Sequence, residues 1–276
     1  MNIYIKTRIT DLIKQKKISI LISTFNKSKF IKGTIQSCLD QNYENYEIII
    51  VDTESTDTTI DILREYSKHK KIRVYFIKKK FRQSPSLNQI NAIKFGLLKS
   101  KGEIVCLLDG DDKFKRNKLK EINNFFQKNS QVNFVQDMIK NDKDYSNYNK
   151  LERYFLFFKI LPKFFPTSTF SIRRKKLKLF FKKYNNFNLD LLEIDARLYF
   201  FSKIIYKDHS LIDKNLTTYI KDPKGISSKF VRFSKEWFKK RNQAHIFLKS
   251  YFKKNTYPYN FDFNLSRFLY FLIKKI

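Results

Sequence analysis

Three carboxylates lie within four residues of one another in the segment CLLDGDDKF, at Asp109, Asp111 and Asp112. They directly follow an apolar run, which is typical of a buried strand. Such oxygen ligands suit a hard divalent cation, Mg²⁺ or Mn²⁺, which keeps several waters and bridges to phosphate groups. The alternative is an acidic turn in which Asp112 caps the following helix. Because acidic turns are common, the surrounding elements must decide between these two interpretations.

The first half of the chain alternates predicted strands and helices. Four apolar runs predict strands: 18–22, 46–52, 72–77 and 103–109. Asn26 or Ser28 is expected to cap the first helix, Ser55 or Thr56 the second, and Gly102 is expected to end the third in a left-handed conformation. Repeated strand, helix and strand units predict a mostly parallel sheet with helices on both faces.

Polar side chains follow three of these strands. The first ends in STFN, the second in Asp52 and the fourth in the acidic segment. In open parallel sheets, ligands bind beyond the carboxyl ends of the strands. A strand end that faces a cleft holds several carboxylates when a cation neutralises their repulsion. This position favours a cation site with a nucleotide diphosphate as partner over a simple capping turn.

Two stretches around these elements resemble the family-two glycosyltransferases. Residues 18–66, from ISILISTFN to DILREY, resemble the opening of that family, and GEIVCLLDGDDKF resembles its segment with the DxD motif. The order and spacing of the two stretches make the match more specific than either motif alone. The resemblance implies the GT-A fold, with a mostly parallel Rossmann-like sheet flanked by helices. It also implies transfer of a sugar from a nucleotide-sugar donor with inversion at the anomeric carbon.

The resemblance implies a role for each matching residue. Asp52 corresponds to the aspartate that contacts the nucleotide base, and Thr24 and Asn26 lie in the loop that helps to hold the nucleoside. Asp109 corresponds to the first carboxylate of the DxD motif, near the ribose and the metal. Asp111 corresponds to the direct ligand of the metal, Mg²⁺ or Mn²⁺. The third acid of the segment caps or supports.

Two segments depart from the family pattern. VDTESTD stands where the family has VDDGSTD, so that Thr53 and Glu54 replace an acid and a glycine. The base is therefore open among uracil, guanine and thymine, with a UDP-sugar as the first expectation. Lys94 stands at a position where the family usually has asparagine. It either meets the donor diphosphate or is a solvated lysine on a helix.

The second half of the chain is expected to supply the catalytic base. An inverting transfer needs a carboxylate within hydrogen-bond reach of the acceptor hydroxyl. In LDLLEIDARL, an alignment on Arg197 selects Asp190 and Glu193, whereas the ExDxR spacing selects Glu193 and Asp195. Glu193 occurs in both alignments and is the first choice. The alternative is an acid that shares a helix face with Arg197 and pairs with it.

The last part of the chain is basic and aromatic. Phe230, Phe233, Trp237 and Phe247 can share one face of a predicted helix. This face either packs on the transferase core or lies on an anionic bilayer, and packing is preferred because amphipathic faces of globular chains are usually buried. Peripheral membrane contact would suit an enzyme that acts on a lipid-linked glycan.

Composition constrains the function less than the acids do. The 276 residues carry a formal net charge of +31, which favours anionic partners, but a composition of this kind is also what an AT-rich genome encodes. A nucleic-acid-binding protein would not need polar groups at three strand ends, two of them acidic, so no nucleic acid is expected. A catalytically silent GT-A scaffold, or a protein that binds an anionic surface, is the alternative. No apolar run is long enough to predict a membrane span.

Together with the resemblance, these features predict four parts: an N-terminal extension at 1–17, a nucleotide-sugar-binding half at 18–115, an acceptor-binding half at 116–222 and a helical extension at 223–276. The expected function is metal-assisted transfer of a sugar to a glycan or lipid-linked acceptor, in surface polysaccharide or glycolipid biosynthesis. Cys38 and Cys106 lie in apolar segments and are expected to be free thiols. The expected location is the cytoplasm, or the inner face of the plasma membrane.

Overall fold

The computed structural model describes residues 15–80, 84–139, 160–161, 165–183, 189–223, 225–226, 228, 230–253 and 256–275. Most of the predicted N-terminal extension, residues 1–14, lies outside these ranges. Within them the strands are β1 (Ile18–Thr24), β2 (Tyr46–Thr53), β3 (Ile72–Ile77), β4 (Ile104–Asp109), β5 (Lys113–Phe114), β6 (Phe134–Ile139), β7 (Phe170–Arg173) and β8 (His209–Thr218). All four predicted strands are present.

The α-helices of the same ranges are α1 (Ile31–Leu39), α2 (Thr59–Tyr66), α3 (Pro85–Lys99), α4 (Lys118–Lys128), α5 (Arg174–Lys183), α6 (Ile194–Tyr199), α7 (Lys235–Lys249) and α8 (Asn260–Lys275). A short 3₁₀ turn, Thr167–Thr169, precedes β7, and a π-helical segment, Phe200–Ile205, continues α6. In the described part of the chain, none of these helices is long and apolar enough to cross a membrane.

The strands form one sheet in the order β3-β2-β1-β4-β7-β6-β8-β5. The first four are parallel, β7 runs antiparallel to both of its neighbours, and β6 and β8 are again parallel. The predicted mostly parallel sheet is therefore confirmed. Thr24 pairs with Asp52 in the register, and Ser23 pairs with Asp109. The register thus brings the three polar strand ends to one edge of the sheet.

Helices cover both faces of this sheet, because alternate residues of each central strand point to opposite sides. Leu21 of β1 belongs to a hydrophobic cluster that includes the apolar residues of α3. Its neighbours Ile20 and Ile22 belong to a second cluster that includes Ile31 of α1 and Leu119 of α4. A strand buried on both faces is mostly apolar, and β1 is apolar from Ile18 to Ile22 except at Ser19. The division at residue 115 stays a prediction, and the sheet itself runs through both halves.

The helix ends differ from the expected ones. The first helix begins at Ile31 without a side-chain cap, and the second follows Thr58, while the carboxylate of Asp57 accepts a hydrogen bond from the backbone N–H of Thr59. The third helix ends at Lys99, and Gly102 does not adopt a left-handed conformation. Glycine is needed there for a different reason: a Cβ would lie 2.5 Å from the backbone nitrogen of Ser19.

A fully buried ion pair lies below the loops at the strand ends. The Nζ atom of Lys118 in α4 lies 2.5 Å from Asp137 Oδ1 of β6, and it also donates to Thr217 Oγ1 at 2.7 Å and to the carbonyl oxygen of Ser168 at 2.9 Å. Breaking one side of a buried pair would leave an uncompensated charge, at a cost of about 3–5 kcal/mol. The pair therefore holds α4, β6, β8 and the 3₁₀ turn together.

The C-terminal extension packs on the core through α7. Phe238, Ala244, Phe247 and Leu248 of this helix are buried, as the preferred interpretation predicted for the extension. Phe233, which was expected on the same face, is exposed. The second helix of the extension, α8, packs against α7 and leaves other apolar side chains exposed.

Candidate active site

A cavity of about 420 Å³ opens at the carboxyl ends of β1 and β4. Most of its lining comes from the end of β1, the first turns of α3, the acidic segment after β4, the start of α6 and the segment that follows β8. The end of β2, the segment after β3 and the 3₁₀ turn complete it. The lining residues that carry polar side chains include Ser23, Thr24, Lys27, Lys79, Asn88, Gln89, Asp109, Asp111, Glu193, Asp195, Tyr219 and Asp222.

Asp109 ends β4 at the floor of the cavity. Its Oδ1 atom accepts hydrogen bonds from Gln89 Nε2 at 2.7 Å and from Ser23 Oγ at 3.3 Å. Burial, with the like charges of Asp112 and Asp111, raises the pKa of this carboxyl to about 8. The positive charge of Lys27 opposes this shift only in part.

Asp112 is fully buried and holds two neighbouring segments in place. Its Oδ2 atom accepts a hydrogen bond from Ser168 Oγ at 2.5 Å, and its Oδ1 atom accepts one from the backbone N–H of Ile220 at 2.8 Å. The idea that Asp112 begins the next helix is wrong, because α4 begins at Lys118 after Asn117. Burial raises the pKa of Asp112 to about 7. Its contacts join the acidic segment to the 3₁₀ turn and to the segment after β8.

Asp111 meets a lysine that sequence reasoning missed. Lys27 Nζ lies 2.5 Å from Asp111 Oδ2 and 2.6 Å from Asp222 Oδ2. Burial lowers the pKa of Lys27, but the two carboxylates outweigh burial and raise it above the usual value. The only signal in the sequence was the position of Lys27, directly after the polar end of the first strand. For Asp222, which lies 195 residues away from Lys27, the sequence held no comparable signal.

The carboxylates of Asp111 and Asp222 fit a divalent cation. Both reach one ammonium group, so both can also reach a metal ion placed between them. In the part of the chain that the structure describes, no group of three or more His, Cys, Asp or Glu side chains is arranged to hold a metal ion. Two protein carboxylates suit Mg²⁺ or Mn²⁺ when phosphate oxygens and water complete the coordination.

Of the predicted nucleoside-binding residues, Thr24 lies in the cavity wall. Its hydroxyl oxygen is buried and has no hydrogen-bond partner within the described residues. Asn26 is exposed, and its backbone is in the left-handed region with φ of 51°. Its Oδ1 atom accepts a hydrogen bond from the backbone N–H of Thr56 at 2.7 Å. Asp52 is buried and accepts hydrogen bonds from the backbone and the hydroxyl of Ser55. Asn26 and Asp52 thus brace two strand-end loops.

The predicted phosphate contact at Lys94 is not placed in the cavity. Lys94 is exposed on α3, in agreement with the alternative of a solvated lysine. The same helix instead presents Pro85, Asn88 and Gln89, which follow helical spacing at its first turns. That spacing was readable in the sequence once the start of the helix was known.

The structure separates the three candidates for the catalytic base. Glu193 and Asp195 both line the cavity. Asp190 instead accepts a hydrogen bond from Gln243 Nε2 of α7 at 2.5 Å. The expected shared helix face is wrong for Asp190, because α6 begins only at Ile194.

The arginine near these acids, Arg197, bonds to the backbone of the preceding turn. Arg197 is fully buried and donates to the backbone carbonyl oxygens of Leu192 at 2.8 Å and Leu189 at 2.5 Å. It therefore shapes the turn before α6. The ion pair of Glu193 is made with Lys240 of α7, an interaction between residues 47 positions apart that local spacing did not reveal.

Asp195 has the electrostatics of a weak acid. Burial and the neighbouring charge of Glu193 raise the pKa of its carboxyl to about 8, against the opposing effect of Lys240. The backbone N–H of Ala196 donates to Asp195 Oδ1 at 2.7 Å and fixes the orientation of the group. A carboxylate with a pKa near the working pH is well matched to taking a proton from a hydroxyl.

Comparison with known proteins follows the same parts of the chain. A family model described as glycosyl transferase family 2 matches residues 19–189. The protein named "Putative teichuronic acid biosynthesis glycosyltransferase TuaG" of Bacillus subtilis is 33% identical over 114 residues, which are 41% of this chain and 43% of that protein. The match therefore spans less than half the length of this curated relative.

Solved structures resemble the fold over most of the chain. S. aureus TarS in complex with UDP-GlcNAc has a TM-score of 0.64 at 17% identity, over 91% of this chain and 72% of that chain. The mannosyltransferase PcManGT from Pyrobaculum calidifontis, in complex with GDP-Man and Mn²⁺, has a TM-score of 0.61 at 15% identity, over 92% and 70% of the two chains. At such identities the likeness concerns the fold, and the expected GT-A fold is confirmed.

The raised pKa of Asp109 predicts a pH-dependent effect of Asp109→Asn in the metal-free protein. The folded state keeps this proton up to about pH 8, whereas the unfolded chain loses it near pH 4. Wild-type stability therefore falls as pH rises through this window, and the variant lacks that loss. We expect Asp109→Asn to be more stable at pH 8 by roughly 1–3 kcal/mol, and by much less at pH 5, in urea denaturation. Asp213→Asn, at an exposed position, is the control; a gain that does not depend on pH would contradict the assignment.

Proposed function

The chain belongs to glycosyl transferase family 2, and on this basis we propose that its cavity binds a nucleotide-diphosphate sugar and that the enzyme transfers the sugar to a glycan or lipid-linked acceptor with inversion. One observation carries the proposal: two carboxylates that converge on one ammonium group, Asp111 and Asp222, line the same cavity as two candidate bases, Glu193 and Asp195. A catalytically silent scaffold would not need both sets in one cavity.

The donor is proposed to be a UDP-sugar, with other nucleotides as alternatives. TarS with UDP-GlcNAc and PcManGT with GDP-Man share this fold and bind nucleotide-sugars. Asp109 and Thr24 line the cavity, and we propose that they contact the nucleoside. The relative TuaG is named for teichuronic acid biosynthesis, which supports a role in making surface polysaccharide.

Asp111 and Asp222 are proposed to hold Mg²⁺ or Mn²⁺ against the donor diphosphate. The neighbour PcManGT is in complex with GDP-Man and Mn²⁺, and the two carboxylates here converge on one positive charge. Such an ion, when bound, stabilises the negative charge of the departing diphosphate. The residues that would hold the ion, Asp111 and Asp222, line the same cavity as the candidate bases Glu193 and Asp195.

Asp195 is proposed as the general base, with Glu193 as a positioning residue. This exchanges the order expected from the sequence. Lys240 already neutralises Glu193, whereas the carboxyl of Asp195 accepts only a backbone N–H among the contacts described above. In the reaction, Asp195 takes the proton of the acceptor hydroxyl while the hydroxyl oxygen bonds to the anomeric carbon, and the diphosphate leaves with the electron pair of its glycosidic bond.

The nucleotide proposal predicts selective thermal stabilisation. We expect one nucleoside diphosphate among UDP, GDP and TDP to raise the melting temperature in the presence of Mn²⁺. At a hundredfold excess of this nucleotide over its Kd, the free energy of unfolding should increase by about 2.7 kcal/mol. Asp111→Ala should lose the part of this stabilisation that depends on Mn²⁺, whereas the exposed control Asp213→Ala should keep it. If no nucleotide stabilises the wild type, the proposed donor site is wrong.

The base assignment predicts different kinetics for two neighbouring acids. Asp195→Asn should lower kcat by about 10²–10⁴ while donor binding is retained. Wild-type kcat/KM should rise with pH as Asp195 loses its proton at about pH 8. Glu193→Gln removes a like charge and should shift this rise to lower pH, with a smaller loss of kcat. The opposite result, loss in Glu193→Gln and near-normal turnover in Asp195→Asn, would return the role of base to Glu193.

Peripheral contact with an anionic bilayer is proposed for α8. Phe261, Leu265, Phe268 and Leu272 recur every three or four residues along this helix and are 42–73% exposed. Its other face packs on α7 through the ion pair of Asp262 with Arg241. An apolar stripe on a chain with a net charge of +31 suits insertion at the surface of anionic lipid. Two free, buried thiols support a location on the cytoplasmic side.

Vesicle sedimentation tests this surface. Wild-type protein should bind vesicles of phosphatidylcholine with phosphatidylglycerol more strongly than vesicles of phosphatidylcholine alone. Phe268→Asp should weaken binding about tenfold or more, because one buried aromatic side chain contributes roughly 1.5–3 kcal/mol. Phe76→Asp, at another exposed phenylalanine on β3, is the matched control. Equal loss in both variants, or no loss in Phe268→Asp, would exclude α8 as the contact.

A further inference from the structure

Lys27 occupies the position between the two carboxylates that are proposed to bind metal. Its Nζ atom is 2.5 Å from Asp111 Oδ2 and 2.6 Å from Asp222 Oδ2. The three side chains are 16%, 13% and 11% exposed, so solvent screens the contacts only in part. The lysine is thus a monovalent cation that belongs to the protein, and it offsets one of the two negative charges of the pair.

The surrounding packing keeps this ammonium group close to the site. The backbone N–H of Lys27 donates to Thr59 Oγ1 at 2.9 Å, which anchors the residue at the start of α2. Its stem passes over Gly110, where a Cβ would lie only 3.3 Å from Lys27 Cγ. If the ammonium group leaves the two carboxylates, it therefore remains at the edge of the cavity that it already lines.

A divalent cation on its own meets an obstacle in this arrangement. To reach Asp111 and Asp222 it must break two charge-assisted hydrogen bonds. It then leaves a positively charged lysine nearby without those partners, and the two like charges repel. A diphosphate changes the balance, because its oxygens complete the coordination of the metal and also give Lys27 a new anionic partner.

We propose that Lys27 makes the binding of the divalent cation conditional on the donor diphosphate. This inference rests on the metal and donor sites of the proposed function and adds to them a residue that couples the two ligands. Without nucleotide, Lys27 holds the carboxylates and the metal binds weakly. With nucleotide, Lys27 pairs with the diphosphate and the metal takes its place. By linkage, the metal strengthens nucleotide binding by the same factor.

The test measures Mn²⁺ affinity by electron paramagnetic resonance of the free ion, with and without UDP, and with GDP if the wild type prefers it. In wild type we expect the nucleotide to tighten Mn²⁺ binding by about 5–150-fold, the usual range of such coupling. Lys27→Met removes the charge and keeps an apolar stem. It should bind Mn²⁺ alone at least about fivefold more tightly than wild type, and the tightening by nucleotide should shrink.

Three further variants make the result specific. Lys27→Gln should behave as Lys27→Met does, and it replaces that variant if Lys27→Met does not fold. Lys27→Arg retains the charge and should retain weak binding of Mn²⁺ alone. Lys79→Met removes another lysine of the cavity, one that lies over the ring of Phe25, and should leave the affinity for Mn²⁺ alone unchanged.

Two outcomes overturn the inference and are distinguishable. If Lys27→Met and Lys27→Gln bind Mn²⁺ alone no more tightly than wild type, while all of them bind Mn²⁺ with nucleotide, Lys27 does not couple the ligands and the proposed function stands. If neither wild type nor any variant binds Mn²⁺ in the presence of nucleotide, the proposed metal site fails and the inference fails with it.

Discussion

The site depends on one physical constraint: several carboxylates are partly or fully buried at the end of a single strand. Asp109, Asp111 and Asp112 lie within four residues, and burial disfavours the charge of each one that it reaches. Water reaches these carboxylates only in part, so the protein must supply donors or cations. Several of the contacts around the end of β4 provide these donors and cations.

Each acid is compensated by a different part of the chain. Asp109 receives the amide of Gln89 from α3, Asp112 receives the hydroxyl of Ser168 from the 3₁₀ turn, and Asp111 receives the ammonium group of Lys27. The 3₁₀ turn is itself held by Lys118, which is paired with Asp137 in the core. The hydrogen bonds and the ion pair that compensate these acids thus fix the loops relative to the sheet. The buried pair of Lys118 with Asp137 ties the 3₁₀ turn to the core.

The sequence predicted what depends on local spacing and missed what depends on distant contacts. The four strands of the first half, and the position of Asp109 and Asp111 at a strand end, follow from apolar runs and from the rule for parallel sheets. Lys27 and Asp222 are 195 residues apart, so no local pattern pairs them. The choice among the three candidate bases depended on where α6 begins, and helix starts are poorly defined by spacing when no side chain caps them.

The same contrast explains why acids rather than the overall charge indicate the function. An exposed lysine has little effect on a distant charge, because solvent and salt screen exposed charges over about 10 Å. Lys27 differs from these exposed lysines, since two carboxylates at 2.5 and 2.6 Å hold its ammonium group in a cleft. One lysine in a defined geometry can therefore influence ligand binding more than the rest of the net charge. The chemistry of the site follows from the few charges that the fold removes from water.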